Sequence, residues 1–310
     1  MDMLVIMDAF ESFDSEGDTS LGLMAAGLER GHRVSCCTAG NLSWIDGQVV
    51  ARVRRVTAGA GHMVAGPFAS APQGLCEFDV VVVRTDPPFD ADYLAMTLLL
   101  EFARGSTLVV NDPRALRESN EKLYALRFPE LMPATVVTAD VDDLCTFADE
   151  HGGAVLKPLD GHGGDGVVRL RVKDPRGDQI VSEATGGGAR PVMAQEFLAK
   201  VVDGDRRILL LDGEPLGALN RVPARGEFRA NISRGARVEV AEIQASDRRI
   251  IDTLAPALRR DGLWFVGIDV IDGRLSEINV TSPTGLRQLT RGSGKRPDLT
   301  VIDWFEARTQ

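Results

Sequence analysis

Asp269, Glu277 and Asn279 are the residues of this 310-residue chain whose types and spacing first suggest chemistry. They lie in WFVGIDVIDGRLSEINVTSPTG, residues 264–285, which reads as a β-hairpin. In the first arm Trp264, Val266, Ile268 and Val270 alternate with Gly267 and Asp269. In the second, Ile278 and Val280 alternate with Glu277, Asn279 and Thr281. A strict two-residue Asp272-Gly273 loop would set Ile268 opposite Glu277 and mix the faces. A three-residue or bulged loop pairs Asp269 with Glu277 and Gly267 with Asn279, and the apolar faces then match. That register gathers two carboxylates and an amide over a dry sheet, a hard oxygen set suited to Mg²⁺ or Mn²⁺. A solvent-facing polar side, common on antiparallel sheets, would give the same pattern.

A second group surrounds Lys157. The run AVLKP at 154–158 predicts a strand that delivers this lysine, and Gly161, Gly163, Gly164 and Gly166 follow it before a further strand, 167–172. Glycines let a backbone approach a ligand closely and turn N–H groups toward phosphate oxygens. No GK[ST] follows, so this is not a P-loop; a strand–glycine–strand flap is closer to a phosphate cover. A hairpin tip is the bland alternative, and it is the reading taken for Gly186-Gly187-Gly188. Lys122, in the first turn of a helix predicted from Asn120, opposes the macrodipole and hints at an anion partner, although an exposed lysine explains it equally. Arg84 follows the strand 78–83, where open α/β sheets bind ligands, and could meet a substrate carboxylate or simply pair with Asp86. Arg207, Arg221 and Arg229 cluster in one region of an otherwise acidic chain, though each alone reads as a surface charge.

Composition bounds the class. The chain is 44% hydrophobic and 26% charged, with net charge −10 and a sequence pI near 5.0. That argues against nucleic acid or an anionic membrane as partner. No apolar run approaches a membrane span, and MDMLVIMDAF is too short and acidic for a signal peptide. Cys36, Cys37, Cys76 and Cys145 form no CxxC, so buried thiols in a reducing cytoplasm are expected.

The elements that must position these groups fall in order. Strands at 3–7 and 34–38 flank a helix capped at Asp18–Ser20, a β–α–β opening without GxGxxG. The segment 48–56 reads as an extra strand and 57–74 as loop. Helix 90–104, strand 107–111 and a short helix at Asp112-Pro113 complete a first domain, 1–119. Helix 139–151 and strand 191–197 belong to a second, 120–200. Strand 206–211, an Asp212-Gly213 turn, strand 214–221, helix 246–261 and the hairpin make the third, 201–310, with a polar tail after Gly292.

In this order, RTDPPFD at 84–90, NEKL at 120–123, KPLDGHGG at 157–164 and DGDRRILLLDGEP at 203–215 resemble the bacterial glutathione synthetases of the ATP-grasp superfamily. IMDAF with Asp18–Ser20, RVPARGEFRANISRG at 221–235 and FVGIDVIDGRLSEINVTSPTG at 265–285 extend the resemblance along nearly the whole chain. It implies an α/β and α+β fold, a doubly wound parallel-sheet domain (pre-ATP-grasp) followed by two ATP-grasp subdomains. It implies an ATP-dependent ligase that joins γ-glutamylcysteine to glycine, as a cytoplasmic homotetramer. Lys122, Lys157 and the flap at Gly161, Gly163 and Gly164 would hold ATP phosphates. Gln195, Glu196, Phe197 and Leu198 would line the adenine, and Asp205 would lie near the ribose. Asp269, Glu277 and Asn279 would bind two Mg²⁺ (or Mn²⁺) ions. Arg207, Arg221 and Arg229 would act at the γ-phosphate and acyl phosphate. Arg84 would bind the dipeptide substrate, Asn231 would belong to a mobile lid over the substrates at 223–236, and Ser282, Pro283 and Thr284 would shape the acceptor end.

Two segments depart from the family pattern: Thr85 stands where lysine is common, and Ala230–Ala236 where glycines and small residues are common. Both bear on substrate rather than on ATP. The competing readings are an ATP-grasp ligase for another amino acid or dipeptide pair, and a non-catalytic ATP-binding protein.

Overall fold

The computed structural model describes all residues except 14–16, 60–61, 232–233 and 310. Four sheets occur among the described residues, three large and one small. The first has six strands in the order Met63–Phe68, Arg54–Ala58, Arg33–Cys37, Asp2–Met7, Val80–Arg84 and Leu108–Val110. Its last four strands are parallel, and the first two add antiparallel. The central runs Met3–Met7 and Val80–Val83 are buried on both faces, as expected of parallel strands covered by helices. Asp18 caps the helix Thr19–Glu29 by accepting from the Leu21 N–H at 2.8 Å, and Asp90 caps Ala91–Glu101 through Tyr93 N–H at 2.9 Å.

The second sheet is antiparallel, in the order Thr135–Thr138, Val192–Glu196, Ala154–Pro158, Val168–Leu170. Helices Val141–Glu150 and Gly177–Thr185 cover one face and enclose Leu144, Leu156, Leu170, Val181 and Ala194. The third sheet, also antiparallel, runs Arg237–Ala241, Glu214–Val222, Asp205–Leu211, Phe265–Ile271, Arg274–Asn279, with helix Ala245–Asp261 among its partners. Asn111 joins the first sheet to the third. Its side chain donates to Phe265 O at 2.9 Å and Val280 O at 2.8 Å and accepts from Phe265 N–H at 2.8 Å. All three bonds are buried, so the two arms of the hairpin are held at its open end from the neighbouring sheet.

Several expectations need correction. The segment 48–56 is two strands in two sheets: Gln48–Ala51 joins a small sheet with Leu42–Ile45, and Arg54–Ala58 joins the main one. Residues 57–74 are not all loop, because Met63–Phe68 pairs with Arg54–Ala58. Its Pro67 is tolerated because the strand is at the edge. Asn120 does not open an α-helix. Its side chain accepts from the N–H groups of Lys122 (3.0 Å) and Leu123 (3.1 Å), tightening the chain into a turn before the 3₁₀ segment Tyr124–Arg127. Gly186 is no hairpin tip but the left-handed C-cap of helix Gly177–Thr185, with φ 62°. The tail holds the helix Pro297–Glu306, whose Val301, Ile302 and Phe305 are buried where it packs on Thr19–Glu29. Among the described residues no helix is long and apolar enough to cross a membrane.

The thiols Cys36 and Cys37 are buried and unpaired. Burial pushes Cys36 up to about 11 and Cys37 up to about 12 from an ordinary 9.0. Above pH 9 the unfolded chain loses these protons while the folded chain keeps them, so stability falls as pH rises through that window. The expected slope is about 1.4 kcal/mol per pH unit for each thiol. Urea midpoints at about pH 8 and about pH 10.5 measure it. The double variant Cys36→Ala/Cys37→Ala loses less stability across the interval; an equal loss would refute the assignment.

Candidate active site

The hairpin forms in the register that matches its apolar faces: Gly267 opposite Asn279, Ile268 opposite Ile278, Asp269 opposite Glu277. Its turn is a two-residue Asp272-Gly273 with φ of 51° and 70°, the left-handed pair that two-residue hairpins favour. Ile271 faces Arg274 and Val270 faces Leu275, so the extra residue is Ser276, a β-bulge beside Asp269.

Across the sheet floor runs a chain of alternating charges. Arg207 grips Asp269 with two bonds, Nε to Oδ1 at 2.5 Å and Nη2 to Oδ2 at 3.0 Å. Arg221 Nη2 lies 3.0 Å from Asp269 Oδ2 and 2.6 Å from Asp205 Oδ2. Strand pairing dictates the pattern, because Arg207 stands opposite Asp269 on one neighbour and Asp205 opposite Arg221 on the other. Gly267 makes room for it: a Cβ there would meet Arg207 Cδ at 3.1 Å and Pro283 Cβ at 3.0 Å. All four charged residues are buried. Burial alone would raise the Asp269 carboxyl, but Arg207 and Arg221 outweigh it and hold it well below the ordinary range. For Asp205 burial prevails over Arg221, and its carboxyl is pushed up to about 6. Asp205 Oδ1 and Arg221 Nε are buried without partners among the described residues.

Two lysines approach this floor from the second sheet's side. Lys122, only 4% exposed, donates from Nζ to Gly161 O at 2.6 Å and lies 3.3 Å from Glu277 Oε1. Neither the dipole argument nor the exposed-lysine reading fits it: no helix starts there, and the side chain is buried. Lys157 donates to Gln195 Oε1 at 2.5 Å and Ser276 Oγ at 2.8 Å, two neutral acceptors. Desolvation lowers its pKa. A half-buried ammonium with only neutral hydrogen-bond partners is a ready anion site. Above them the glycine flap and the lid touch. Gly164 has φ of 80°, and a Cβ on it would fall 2.5 Å from Asn231 Oδ1. Arg234 pairs with Asp165. Ile232 and Ser233, part of the lid segment 230–236, lie outside the described residues.

One cavity of about 610 Å³ unites these groups. Lys122, Lys157, Gly161, Gly163, Gly164, Gln195, Glu196, Phe197, Leu198 and Asp205 line it. So do Arg207, Arg221, Arg229, Asn231, Asp269, Glu277, Asn279, Ser282 and Thr284. Arg84 and Pro283 do not. Arg84, 1% exposed, donates to Ser20 Oγ at 3.2 Å and to Pro283 O at 3.0 Å, so it braces the 282–284 turn from behind and is no surface partner of Asp86. Thr85 also lies outside the lining, with its hydroxyl 3.6 Å from Met96 Sδ.

Two family models match the chain: the N-terminal domain of prokaryotic glutathione synthetase over residues 1–117, and its ATP-grasp domain over 121–294. This chain belongs to the prokaryotic glutathione synthetase family. A glutathione synthetase of Thermosynechococcus vestitus is 44% identical over 317 residues, covering 98% of this chain and 99% of the relative. Another, of Bradyrhizobium diazoefficiens, is 42% identical over 308 residues, covering 98% and 96%. Among solved structures, the D-cycloserine synthetase DcsG has TM-score 0.67 at 16% identity, covering 99% of this chain and all of that one. The ATP-grasp ligase PsnB with a minimal precursor has TM-score 0.64 at 19%, covering 100% and 98%. These two establish a shared fold. As a member of the glutathione synthetase family, the chain is an ATP-dependent ligase of glutathione synthesis.

In this glutathione synthetase fold several site residues escaped the sequence reading. Glu121 accepts at one oxygen, Oε1, from Val280 N–H (3.0 Å), Thr281 N–H (3.1 Å) and Thr281 Oγ1 (2.7 Å). Its carbonyl accepts from Ile278 N–H at 3.1 Å, so residues 120–122 stitch the open edge of the hairpin and set Lys122 against Glu277. Burial, with Glu277 nearby, raises its pKa. Arg169 stacks over Phe197 with its guanidinium carbon 3.5 Å from the ring centroid, and Phe228 of the lid meets the same ring at 6.3 Å. The NEKL motif was the one available signal for Glu121; nothing local marked Ser276 or Arg169. Glu121→Ala leaves two N–H groups unpaired and should cost about 1–3 kcal/mol, whereas Glu121→Gln keeps the acceptor and most of the stability. Equal thermal midpoints for both variants would count against the clamp.

Proposed function

We propose that this chain joins γ-glutamylcysteine to glycine through an acyl phosphate, releasing ADP and phosphate. The observation that carries the reading is the convergence of Lys122, Lys157, Arg207, Arg221, Asp269, Glu277 and Asn279 on one cavity. The donor's cysteinyl carboxylate attacks the γ-phosphorus of ATP, and the bond to the ADP oxygen breaks. The glycine amine then attacks the acyl carbon; the bond to phosphate breaks and a proton leaves the nitrogen. Lys122 and Lys157 hold the phosphates, and Arg207, Arg221 and Arg229 offset charge on the transferring group. Gln195, Glu196, Phe197 and Leu198 wall the adenine, with Asp205 on the ribose side. Gly161, Gly163 and Gly164 cover the phosphates, and with Asn231 of the lid they exclude water that would hydrolyse the acyl phosphate. Arg84, buried outside the cavity, serves the donor end only by holding the 282–284 turn, and Ser282 and Thr284, with Pro283 behind them, shape the acceptor end.

Asp269, Glu277 and Asn279 supply oxygen donors only, which fits Mg²⁺ or Mn²⁺. No cluster of three or more His, Cys, Asp or Glu side chains suited to a metal occurs among the described residues, so this set depends on the Asn279 amide. In this state Arg207 and Arg221 occupy Asp269, and Lys122 faces Glu277. Incoming phosphate would draw these cations off and free the carboxylates. Two divalent ions held there would neutralise phosphate charge. The same reading divides the chain at 1–119, 120–200 and 201–310, and places it in the cytoplasm as a homotetramer.

The deciding experiment measures ADP release with Mg-ATP, γ-glutamylcysteine and glycine, beside a panel of other acids and amines. Turnover with the named pair is expected. Turnover only with another pair would replace the substrates, and ATP binding without any turnover would leave a non-catalytic binder.

A further inference from the structure

The three arginines assigned to the transferring phosphoryl group are held in different ways. Arg207 and Arg221 stand on paired strands and are fixed by buried carboxylates. Arg229 stands on a loop, where no strand pairing fixes it. A long side chain there would have to be ordered by the phosphate it binds, which costs conformational entropy. The residue two positions back removes that need. Glu227 Oε2 accepts from Arg229 Nη2 at 2.7 Å, and Oε1 accepts from Arg229 Nε at 3.1 Å. The same Oε1 accepts from the backbone N–H groups of Phe228 (2.8 Å) and Arg229 (3.1 Å). One carboxylate thus ties the arginine's head to its own backbone. A turn sets Glu227 in place: its N–H donates to Ala224 O at 2.9 Å, and Gly226, third in the turn, supplies a φ of 87°.

Arg229 lines the cavity and Glu227 does not, so the carboxylate stands behind the guanidinium. The arginine's stem meets the glycine flap: a Cβ on Gly164 would lie 3.5 Å from Arg229 Cδ. Phe228, between the two, anchors the same stretch against the Phe197 ring, with centroids 6.3 Å apart. A guanidinium carries five N–H donors in one plane. Glu227 takes the Nε–Nη2 edge, and the Nη1–Nη2 edge is left to clamp a phosphate with two parallel bonds. The hydrogen bonds from Arg229 pull the Glu227 carboxyl down from an ordinary 4.5 to about 2, so the brace stays charged at neutral pH. We propose that Glu227 is a positioning residue of this ligase, which orders Arg229 before the γ-phosphate arrives and leaves its free edge to that phosphate. Glu227 touches no substrate and acts through Arg229. A donor held ready in this way needs no reorganisation when charge develops on the transferring group.

This deepens the role given to Arg229 above and rests on it. Calorimetry of Mg-ATP and Mg-ADP binding to the full chain reads the γ-phosphate from the ratio of the two dissociation constants, without turnover. Glu227→Ala should lower the preference for ATP roughly 2–10-fold, the effect of ordering one long side chain on binding. Glu227→Gln, which keeps an oxygen acceptor for the Phe228 and Arg229 N–H groups, should lose less. ADP release at saturating substrates should fall in the same order, with thermal midpoints unchanged as a fold control. The double variant Glu227→Ala/Arg229→Ala should be no slower than Arg229→Ala alone, because the brace has nothing left to hold. An ATP preference unchanged by Glu227→Ala, or a double variant slowed by the product of the two single effects, overturns the proposal. A wild type that turns over no acid–amine pair overturns the ligase reading alone; a fall in ATP preference in Glu227→Ala would then still support the brace.

Discussion

Glu277→Gln should lower the rate of ADP release by about 10²–10³-fold at saturating Mg²⁺, with the fold intact. The substitution preserves shape and removes one negative charge. That charge stands opposite Asp269 and 3.3 Å from Lys122 Nζ, where phosphate, cation and lysine would meet. Because Glu277 is only partly buried, circular dichroism should keep its shape, and the thermal midpoint should fall only modestly as Lys122 loses its carboxylate but keeps the Gly161 carbonyl. A loss of this size reports an interaction made during phosphoryl transfer rather than a folding defect. Wild-type turnover by the variant would refute Glu277 as a metal ligand.

The largest expected effect on stability belongs to Asp269→Asn. Removing one member of a buried ion pair leaves the other charge uncompensated, at a cost of about 3–5 kcal/mol. Here two guanidiniums lose a partner. Arg221 keeps Asp205, but Arg207 keeps only the Thr284 carbonyl at 3.4 Å. A loss of about 3 kcal/mol in urea unfolding is expected, and Asp269→Asn/Arg207→Met should recover part of it because both charges are gone. The pH dependence has a definite sign. The folded carboxyl lies below its ordinary 3.8, so its contribution is complete above that value and drains away as pH falls through the lowered one. A double variant as unstable as the sum of its parts would contradict the charge-chain account.

The hairpin register was legible in the sequence because only one pairing keeps Ile268, Val270, Ile278 and Val280 on a common face, and both dry packing and strand period enforce it. What produced it was not: the turn is a two-residue one, and the odd residue is a bulge at Ser276. Lys122 was singled out for a reason that does not hold. Asn120 in its turn looks like a helix cap, and only tertiary contact with Gly161 and Glu277 explains the lysine's burial. The charge chain Asp205–Arg221–Asp269–Arg207 is invisible locally, because its bonded partners sit up to 62 residues apart and meet only through strand pairing. The strand Met63–Phe68 was hidden by its Gly and Pro, which an edge position accommodates. The helix Pro297–Glu306 was hidden by the polar residues that flank its few buried ones.

The Ser276 bulge also sets how densely this strand can supply ligands. A regular strand offers one side chain to a given face about every 6.6–6.8 Å, because alternate residues point away. With two residues opposite one, Ser276 and Glu277 both reach the same cavity although their Cα atoms are only about 3.8 Å apart. One serves Lys157 and the other Lys122. Excising Ser276 would leave a regular hairpin with Asp269 still opposite Glu277, yet with half the ligand density at that point. The extra residue thus lets two lysines from different parts of the chain be addressed by neighbouring positions on a single strand.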